Sequence, residues 1–371
     1  MAGTLIGFFS ALPDPREARG RRHRLADMVV IAILGVLCGA EGWAEIAQFG
    51  EAKRKWLAAF LPLPHAIPSH DTFGRVFAVL DPDAFEACFM AWTAAVATTI
   101  KGVVAIDGKT IRRSFDTGSK KAAVHMISAW AADNSVVFGQ LAVGDRSNEI
   151  AAIPRLLKML HLKGLIITID AIGCQKKIAR LIVQAGGDYV LRVKANQGGL
   201  LEEVRGLFEW AIPRNFHGMP SARAEQVEKD HGRIETRRVW ATWDLRLIRQ
   251  RQDWSGLSCV IARECTRVIG DRTSVAWHYA ISSLPRTRAE ELGRICRSHW
   301  GVENGLHWSL DVGFGEDDSR VRQGHAPENF SRLRRIGLNL LKREKTCKLG
   351  LKGKRLRCGW DHDYLLTVLG A

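Results

Sequence analysis

Residues 164–175 read GLIITIDAIGCQ, and this stretch decides the class of fold. Its run from Leu165 to Ile169 is apolar and rich in β-branched residues, which is typical of a strand buried on both faces of a parallel sheet. The strand stops at Asp170, and small residues follow. Such an aspartate is either the cap of the next helix or a charge held for function at the carboxyl end of a strand. The residues around it are needed to choose between the two.

The segments on either side of this strand predict a mixed sheet. In chain order they are a strand in KGVVAIDG (101–108), strands in HMISAWAA (125–132) and VVFGQLAV (136–143), a helix in SNEIAAIPRLLKML (147–160), the strand quoted above, a helix in CQKKIARLIVQAG (174–186), and a strand in DYVLRVK (188–194). The order βββ-α-β-α-β predicts an α/β fold whose helices cover both faces of the sheet.

Four further regions flank or interrupt this core at 101–195. Residues 1–95 are predicted to form a helical N-terminal DNA-binding domain, whose pattern fits a helix-turn-helix and a plain helical bundle equally well. Residues 196–290 predict a β-rich insertion, and residues 291–345 return to a helix of the core. Residues 346–371 are expected to form a basic tail.

The charge of the chain indicates a polyanionic partner. Its 371 residues include 54 Lys and Arg against 39 Asp and Glu, which leaves a net charge of +15. Such an excess of positive charge most often serves to bind nucleic acid, although it is also compatible with a merely basic surface. The eight cysteines contain no CxxC pair, so the sequence predicts neither a zinc site nor a disulfide framework. A reducing cytoplasm is the expected location.

The apolar run at 28–40 (MVVIAILGVLCGA) imitates a secretory signal. It is too short to span a bilayer, and Asp14, Glu17 and Asp27 interrupt the leader before it. We therefore expect a buried helix and no membrane partner.

Three carboxylates stand where such a sheet holds charges. Asp107 and Asp170 each end a predicted strand, and Glu303 lies in HWGVEN on a helix beyond the insertion. Hydrolysis of a phosphodiester needs an activated water and a stabilised leaving oxygen, which two Mg²⁺ ions supply together. Mg²⁺ prefers oxygen ligands, and clustered carboxylates need a metal or a lysine to offset their repulsion.

Each acid also has an ordinary interpretation. Asp107-Gly108 is a common hairpin dipeptide, Asp170 suits a helix cap, and Glu303 suits a solvated helix face. The nearby acids that compete with Glu303 are Glu291, Asp311, Glu316, Asp317 and Asp318. Spacing alone leaves the choice open.

Several long stretches resemble the DDE transposases of bacterial insertion sequences, in the ISAs-type subgroup that includes the H-repeat-associated proteins. The matching stretches, in order along nearly the whole chain, are IPSHDTFGRVF, VVAIDGKTIRRS, SNEIAAIP, TIDAIGCQ, DYVLRVKANQ, HGRIETR and HWGVENGLHWSLDVGFGEDDSR. The resemblance implies an RNase H-like core in the order βββ-α-β-α-β-[β-rich insertion]-α. It also implies that Asp107, Asp170 and Glu303 are catalytic and bind two Mg²⁺ ions, for which Mn²⁺ can substitute. Wider relatives carry Tyr, Arg and Lys at positions that are Cys296, His299 and Leu310 here.

Basic and amide side chains near these acids are the candidate DNA contacts. They are Lys109, Arg112 and Arg113 after the first acid, Lys194, Asn196 and Gln197 after the fifth strand, Arg233 and Arg237 in the insertion, Arg297 and His299 before the third acid, and Lys354 and Arg355 in the tail. A solvated turn, helix capping by Asn196 and simple solubility are the competing interpretations.

The sequence therefore predicts a Mg²⁺-dependent DNA transposase. Water cleaves at the element's ends, and the freed 3′-hydroxyl attacks target DNA. Two ends must be held together, so a homodimer or larger synaptic complex is expected. The alternatives are a catalytically silent DNA-binding protein, from a decayed or regulatory copy, and a two-metal nuclease that cuts but never joins.

Overall fold

The computed structural model describes residues 2–96, 102–118, 121–144, 148–230 and 232–370. Lys101, Ser147 and His231, which belong to stretches quoted above, lie outside the described residues. The strands are β1 Gly102–Thr110, β2 His125–Ala131, β3 Val136–Val143, β4 Leu165–Ile169, β5 Asp188–Val193, β6 Ser221–Asp230, β7 Arg233–Thr242, β8 Cys259–Ile269 and β9 Arg272–Ser282.

The helices frame this sheet along the whole chain. They are α1 Ala2–Ser10, α2 Leu25–Leu37, α3 Trp43–Ala52, α4 Arg54–Leu57, α5 His70–Val79, α6 Pro82–Val96, α7 Glu149–Met159, α8 Lys176–Gln184, α9 Gly198–Ala211, α10 Ala289–Ser298, α11 Trp308–Phe314, α12 Ala326–Arg343, α13 Leu351–Trp360 and α14 His362–Leu369. The predicted order βββ-α-β-α-β is confirmed by β1 to β5 with α7 and α8.

All nine described strands form one sheet, in the order β3-β2-β1-β4-β5-β9-β8-β7-β6. Strands β1, β4 and β5 are parallel, and β2 and β3 join antiparallel on one side. The insertion continues the sheet on the other side, because β9 pairs antiparallel with β5. The α/β fold class is thus confirmed, and the predicted insertion is an extension of the core sheet.

One strand of the insertion escapes sequence reasoning. Strand β6, with the sequence SARAEQVEKD, is largely exposed along its length because it is the outer edge of the sheet. It therefore lacks the apolar alternation of a half-buried strand. Its long hairpin with β7 carries alternating charges, which is a common way to protect an open edge from further pairing.

Helices cover the two faces of the core sheet unequally. Helices α7, α8 and α9 pack on one face against Val104 and Ile106 of β1. The other face contacts α10, α11 and α12, and the N-terminal helices wrap around α12 in the same apolar cluster. The side chains of Asp107 and Asp170 belong to this second face, because they alternate with the residues that face α7 to α9.

The apolar run at 28–40 is a buried helix, as predicted. Every residue of α2 is buried, and α2 packs against α12. Among the described residues, no helix combines the length and apolar character needed to cross a bilayer.

The basic tail predicted at 346–371 is instead folded into α13 and α14. Lys354 is 8% exposed and Arg355 4%. The Lys354 ammonium donates to the carbonyls of Leu341 and Glu344, and the Arg355 guanidinium donates to the carbonyls of Val36, Ala40 and Gly313. These buried bonds hold the last helices against the core and occupy both side chains in the free protein, and the contact of Lys354 and Arg355 with DNA stays a prediction.

Candidate active site

Strand pairing brings the first two acids together. Strand β1 pairs in parallel with β4 so that Ile106 lies opposite Ile169. Asp107 and Asp170 are the next residues on the two strands, and paired strands lie about 4.8 Å apart. Side chains at matching positions of parallel neighbours point to the same face. The two strands are therefore neighbours, and both carboxylates stand beside each other on the face under α10 to α12.

The third acid begins a π-helical turn, Glu303–His307, between α10 and α11. Its buried residue Leu306 anchors the turn in the apolar core, and Gly305 lies against the ring of Trp130 on β2. A Cβ at Gly305 would come within 3.0 Å of that ring, so the glycine permits the close approach. π-turns are rare and recur at functional sites. This one holds the exposed side chain of Glu303 over the sheet.

Asp107 is the most electrostatically perturbed member of the trio. Burial first, and then the charges of Glu149, Glu303 and Asp170, raise its pKa from 3.8 to about 7, against one backbone hydrogen bond from Gly108. The charges of the other two predicted acids thus reach Asp107. Glu149, which was not predicted, is a fourth carboxylate of the same site.

Two histidines complete the surroundings of Asp107. His307 Nδ1 lies 3.7 Å from Asp107 Oδ2, and burial lowers the pKa of His307 to about 4, so its ring is neutral at pH 7. His125 Nε2 lies 2.7 Å from Glu149 Oε1 and orients that carboxylate.

Asp170 is held by cations. Arg192 and Lys194 approach its two oxygens at 3.4 and 3.3 Å. Burial would raise the pKa of Asp170, but the Ala171 amide and these two cations outweigh it and lower the pKa below its usual value. Lys194 therefore lies at the site in contact with the acid, and its predicted contact with DNA stays a prediction.

The amides after β5 brace the loop that follows Asp170. Asn196 donates to the Ala171 carbonyl at 2.6 Å, and Gln197 donates to the Cys174 carbonyl at 2.9 Å. Neither side chain caps α9. Both side-chain amides thus donate a hydrogen bond within the protein, and their contact with DNA stays a prediction.

The donor set suits a hard divalent cation. Carboxylate oxygens are the ligands of Mg²⁺, and burial together with the neighbouring carboxylates raises the pKa of Asp107, so a bound cation would favour its charged form. Within the described part of the chain, no three His, Cys, Asp or Glu side chains are already arranged to hold a metal ion. Binding would therefore require the Glu303 side chain to turn inward and Asp170 to exchange a cation contact for metal.

Lys109 lies inside the protein, which corrects its predicted role as a DNA contact. Its ammonium lies 2.8 Å from Asp311 and 2.5 Å from Asp317, with Glu316 at 4.0 Å, and its side chain is 9% exposed. These acids follow the Glu303 turn, so the cluster ties β1 to that segment. The competing acids Asp311, Glu316 and Asp317 are thus used to bind Lys109.

Arg112 and Arg113 remain on the surface. Their side chains are 81% and 52% exposed, and they form single ion pairs with Asp317 and Asp318. Such exposed pairs contribute little free energy and exchange easily for phosphate.

The insertion forms a groove of about 700 Å³ that reaches Gly301 and Asn304, on either side of Glu303. Its basic residues include Arg233, Arg237 and Arg297, which lie together as candidate DNA contacts. Each forms an ion pair with a carboxylate of the β6–β7 hairpin, either Glu228 or Glu235. The groove therefore brings these arginines close to Glu303, but the ion pairs offset part of its positive charge.

His299 faces a small cavity beside Asp170, together with Arg192, Arg263 and Trp300. Burial lowers the pKa of His299, so its ring is neutral at pH 7. Cys296 lines the same cavity, and Leu310 is buried in the core. His299 and Leu310, which stand where wider relatives carry Arg and Lys, thus supply no positive charge here.

The model of the transposase DDE domain matches residues 98–340, and the model of the DDE_Tnp_1-associated domain matches residues 6–93. This chain belongs to the DDE transposase family. The fold and the recognised resemblance therefore agree.

The relatives extend over the whole chain. The "H repeat-associated putative transposase YhhI" of Escherichia coli K12 is 39% identical, with 98% of this chain and 97% of YhhI covered. The "Putative transposase YncI" of E. coli O157:H7 is 38% identical, with 99% and 95% covered. A solved piggyBac transposase synaptic complex with hairpin DNA aligns over 99% of this chain and 78% of that chain, at 12% identity and a TM-score of 0.38. At that distance it supports no inference about this chain.

Sequence reasoning missed four residues of the site. Glu149 opens the helix of the SNEI stretch, and His307 lies four residues after Glu303, which helical spacing could have indicated. Arg192 lies two residues before Lys194 on the same strand, and thus on the same face. Arg263 carried no such local signal, because β8 reaches the site only through the pairing of β9 with β5.

Proposed function

We propose that this DDE transposase cuts a phosphodiester bond at each end of its own element and joins the freed 3′-hydroxyl to target DNA. The observation that supports this most is the approach of Asp107, Asp170 and Glu303 on one face of the sheet, where their charges raise the pKa of Asp107. Carboxylates gathered at a partly buried site repel one another, which is costly unless a cation offsets the charge. Retaining them makes sense at a metal-dependent site.

Asp107, Asp170 and Glu303 would hold two Mg²⁺ ions, or Mn²⁺ in their place. Such a pair, when bound, activates the attacking oxygen and stabilises the leaving one. The protein's own residues provide position. The Lys109 cluster joins β1 to the Glu303 segment, and Arg192 and Lys194 orient Asp170.

DNA would follow the groove of the insertion toward Glu303. Arg112 and Arg113 offer exposed positive charge near the first acid, and the net charge of +15 favours approach of the polyanion. Cutting and joining require two element ends in one assembly, so we propose a homodimer or larger synaptic complex that acts on the bacterial nucleoid.

The test is a supercoiled-plasmid cleavage assay, using a plasmid that carries the DNA flanking the coding region, with and without Mg²⁺. Glu303→Gln should lower strand cleavage by at least about a hundredfold, since a direct metal ligand matters more than a supporting one. Binding of the same DNA should stay close to wild type. Glu290→Gln, an exposed acid on α10, is the matched control and should cleave normally.

Other outcomes identify the competing functions. A wild-type protein that binds DNA but never nicks it in Mg²⁺ would be a silent DNA-binding protein. One that cuts but cannot join precut ends would be a nuclease. Full cleavage by Glu303→Gln would remove this acid from the site.

A further inference from the structure

A small cavity lies directly beside Asp170, between the core strands and the insertion. It has a volume of about 40 Å³ and is lined by β4, β5, β8, β9 and the segment that ends at Trp300. On the same measure a water molecule needs roughly 10–15 Å³, so the cavity holds about three waters. That space suits the oxygens of one phosphate group and is too small for a nucleobase.

The wall of this cavity carries a buried cation without an anion. Arg263 is 5% exposed, and its guanidinium lies 4.7 Å above the Trp300 ring. Within the described residues its guanidinium makes no hydrogen bond or ion pair. A buried charge is normally paired, because it has lost its hydration. The contact with Trp300 compensates only part of that loss.

A second arginine strengthens the positive field. Arg192 lies 5.6 Å above the same Trp300 ring and is 2.9 Å from His278 Nδ1. It shares Asp170 with Lys194, so the two cations there face one carboxylate. The cavity therefore has a net positive wall on the side of the catalytic acids.

Two neutral polar groups also face the cavity without a bond. Thr168 Oγ1 and His299 Nδ1 are buried, and neither has a hydrogen-bond partner in the described structure. Buried polar atoms are nearly always bonded, so two such atoms at one cavity indicate a missing ligand. An oxyanion could accept from Arg263 and from the Thr168 hydroxyl at once.

We propose that this cavity binds one backbone phosphate of the DNA, next to the bond that is cut, with Arg263 as its main ligand and Arg192 in support. The inference rests on the proposed function, because it takes DNA as the source of the phosphate. It adds a phosphate site supplied by strands β5 and β8. The insertion would then do more than extend the sheet, since β8 carries the cation that fixes the DNA register at Asp170.

The test measures DNA binding without Mg²⁺, so that cleavage plays no part. The probe is a fluorescent duplex of about 30 base pairs, titrated between ~50 and ~200 mM salt. Arg263→Gln should weaken binding roughly tenfold at low salt and lower the slope of log affinity against log salt by about 0.9, the value of one phosphate contact. The matched control is Arg246→Gln, an exposed arginine between β7 and β8 that is paired with Asp244 and does not line the groove proposed for DNA.

Stability separates this role from a structural one. Because Arg263 is unpaired in the free protein, Arg263→Gln should unfold at or above the wild-type temperature. A clear loss of stability would show that the arginine holds the fold and would overturn the proposal. An unchanged salt slope for Arg263→Gln, or an equal loss of DNA binding with Arg246→Gln, would also overturn it.

A free anion is the other source of the same chemistry. If inorganic phosphate stabilises the wild type but not Arg263→Gln, while the two bind DNA with equal slopes, then the cavity takes a free ion and the DNA assignment is wrong. The cleavage assay reports separately on the proposed function. If the wild type cleaves DNA but Arg263→Gln binds DNA as the wild type does, only this inference fails. If the wild type never cleaves but Arg263→Gln lowers the salt slope of DNA binding, the phosphate site stands and the proposed function fails.

Discussion

Replacing Asp107 by Asn should stabilise the metal-free protein while abolishing its activity. Burial and three neighbouring carboxylates raise the pKa of Asp107 from 3.8 to about 7. The folded state therefore binds this proton more tightly than the unfolded state. Linkage then requires that the aspartate's contribution to stability falls as pH rises from about 4 to about 7 and stays low above that. Asparagine has a similar shape and no charge, so it escapes this penalty.

The size of the effect follows from the difference between the two pKa values. Each pKa unit corresponds to about 1.4 kcal/mol, so the penalty approaches about 4 kcal/mol at pH 8 and about 2 kcal/mol at pH 5. These figures are upper bounds on the stability gained by Asp107→Asn, because burying the asparagine amide also costs free energy. The gain in unfolding free energy should thus be clearly larger at pH 8 than at pH 5.

Urea unfolding in EDTA, followed by tryptophan fluorescence, measures this difference. Asp271→Asn, an exposed aspartate in the turn between β8 and β9, is the control and should shift stability little at either pH. Added Mg²⁺ should stabilise the wild type and narrow its gap to Asp107→Asn. Equal stability of wild type and Asp107→Asn at pH 8, or a gain that ignores pH, would refute the electrostatic account of the site.

Three further changes test its surroundings. In a Glu149→Gln background, the stability gained from Asp107→Asn should be smaller, because one charge that repels Asp107 is gone. A double-mutant cycle measures this coupling, and stability changes that simply add would contradict it. Lys109→Met should cost about 2 kcal/mol in unfolding free energy, since the half-buried carboxylates of Asp311 and Asp317 would lose their shared cation, and an unchanged urea midpoint would speak against the cluster. Lys354→Met should cost a similar free energy of unfolding by the same measurement, yet leave the salt dependence of DNA binding at its wild-type slope; a lower slope would restore Lys354 as a DNA contact.

Local pattern was enough for the core elements because the information is local. Alternation, β-branched runs and turn residues predicted β1 to β5 in the correct order, and they placed Asp107 and Asp170 at matching strand positions. The same reasoning failed at β6, where a polar edge strand has no buried face to reveal it. The long motif around Glu303 indicated the third acid through family resemblance, whereas spacing alone left five rivals.

The amino-acid sequence by itself thus determined the α/β class and the chain order of the core elements, and it predicted the three acids through a long matching motif. The tertiary structure alone decided what each charged residue contacts. Lys109 meets Asp317 across 208 residues of chain, and Lys354 and Arg355 turn inward to backbone carbonyls. The physical reason is that a cation looks the same in sequence whether water, a carboxylate or a phosphate surrounds it. Only packing determines which of these it can reach.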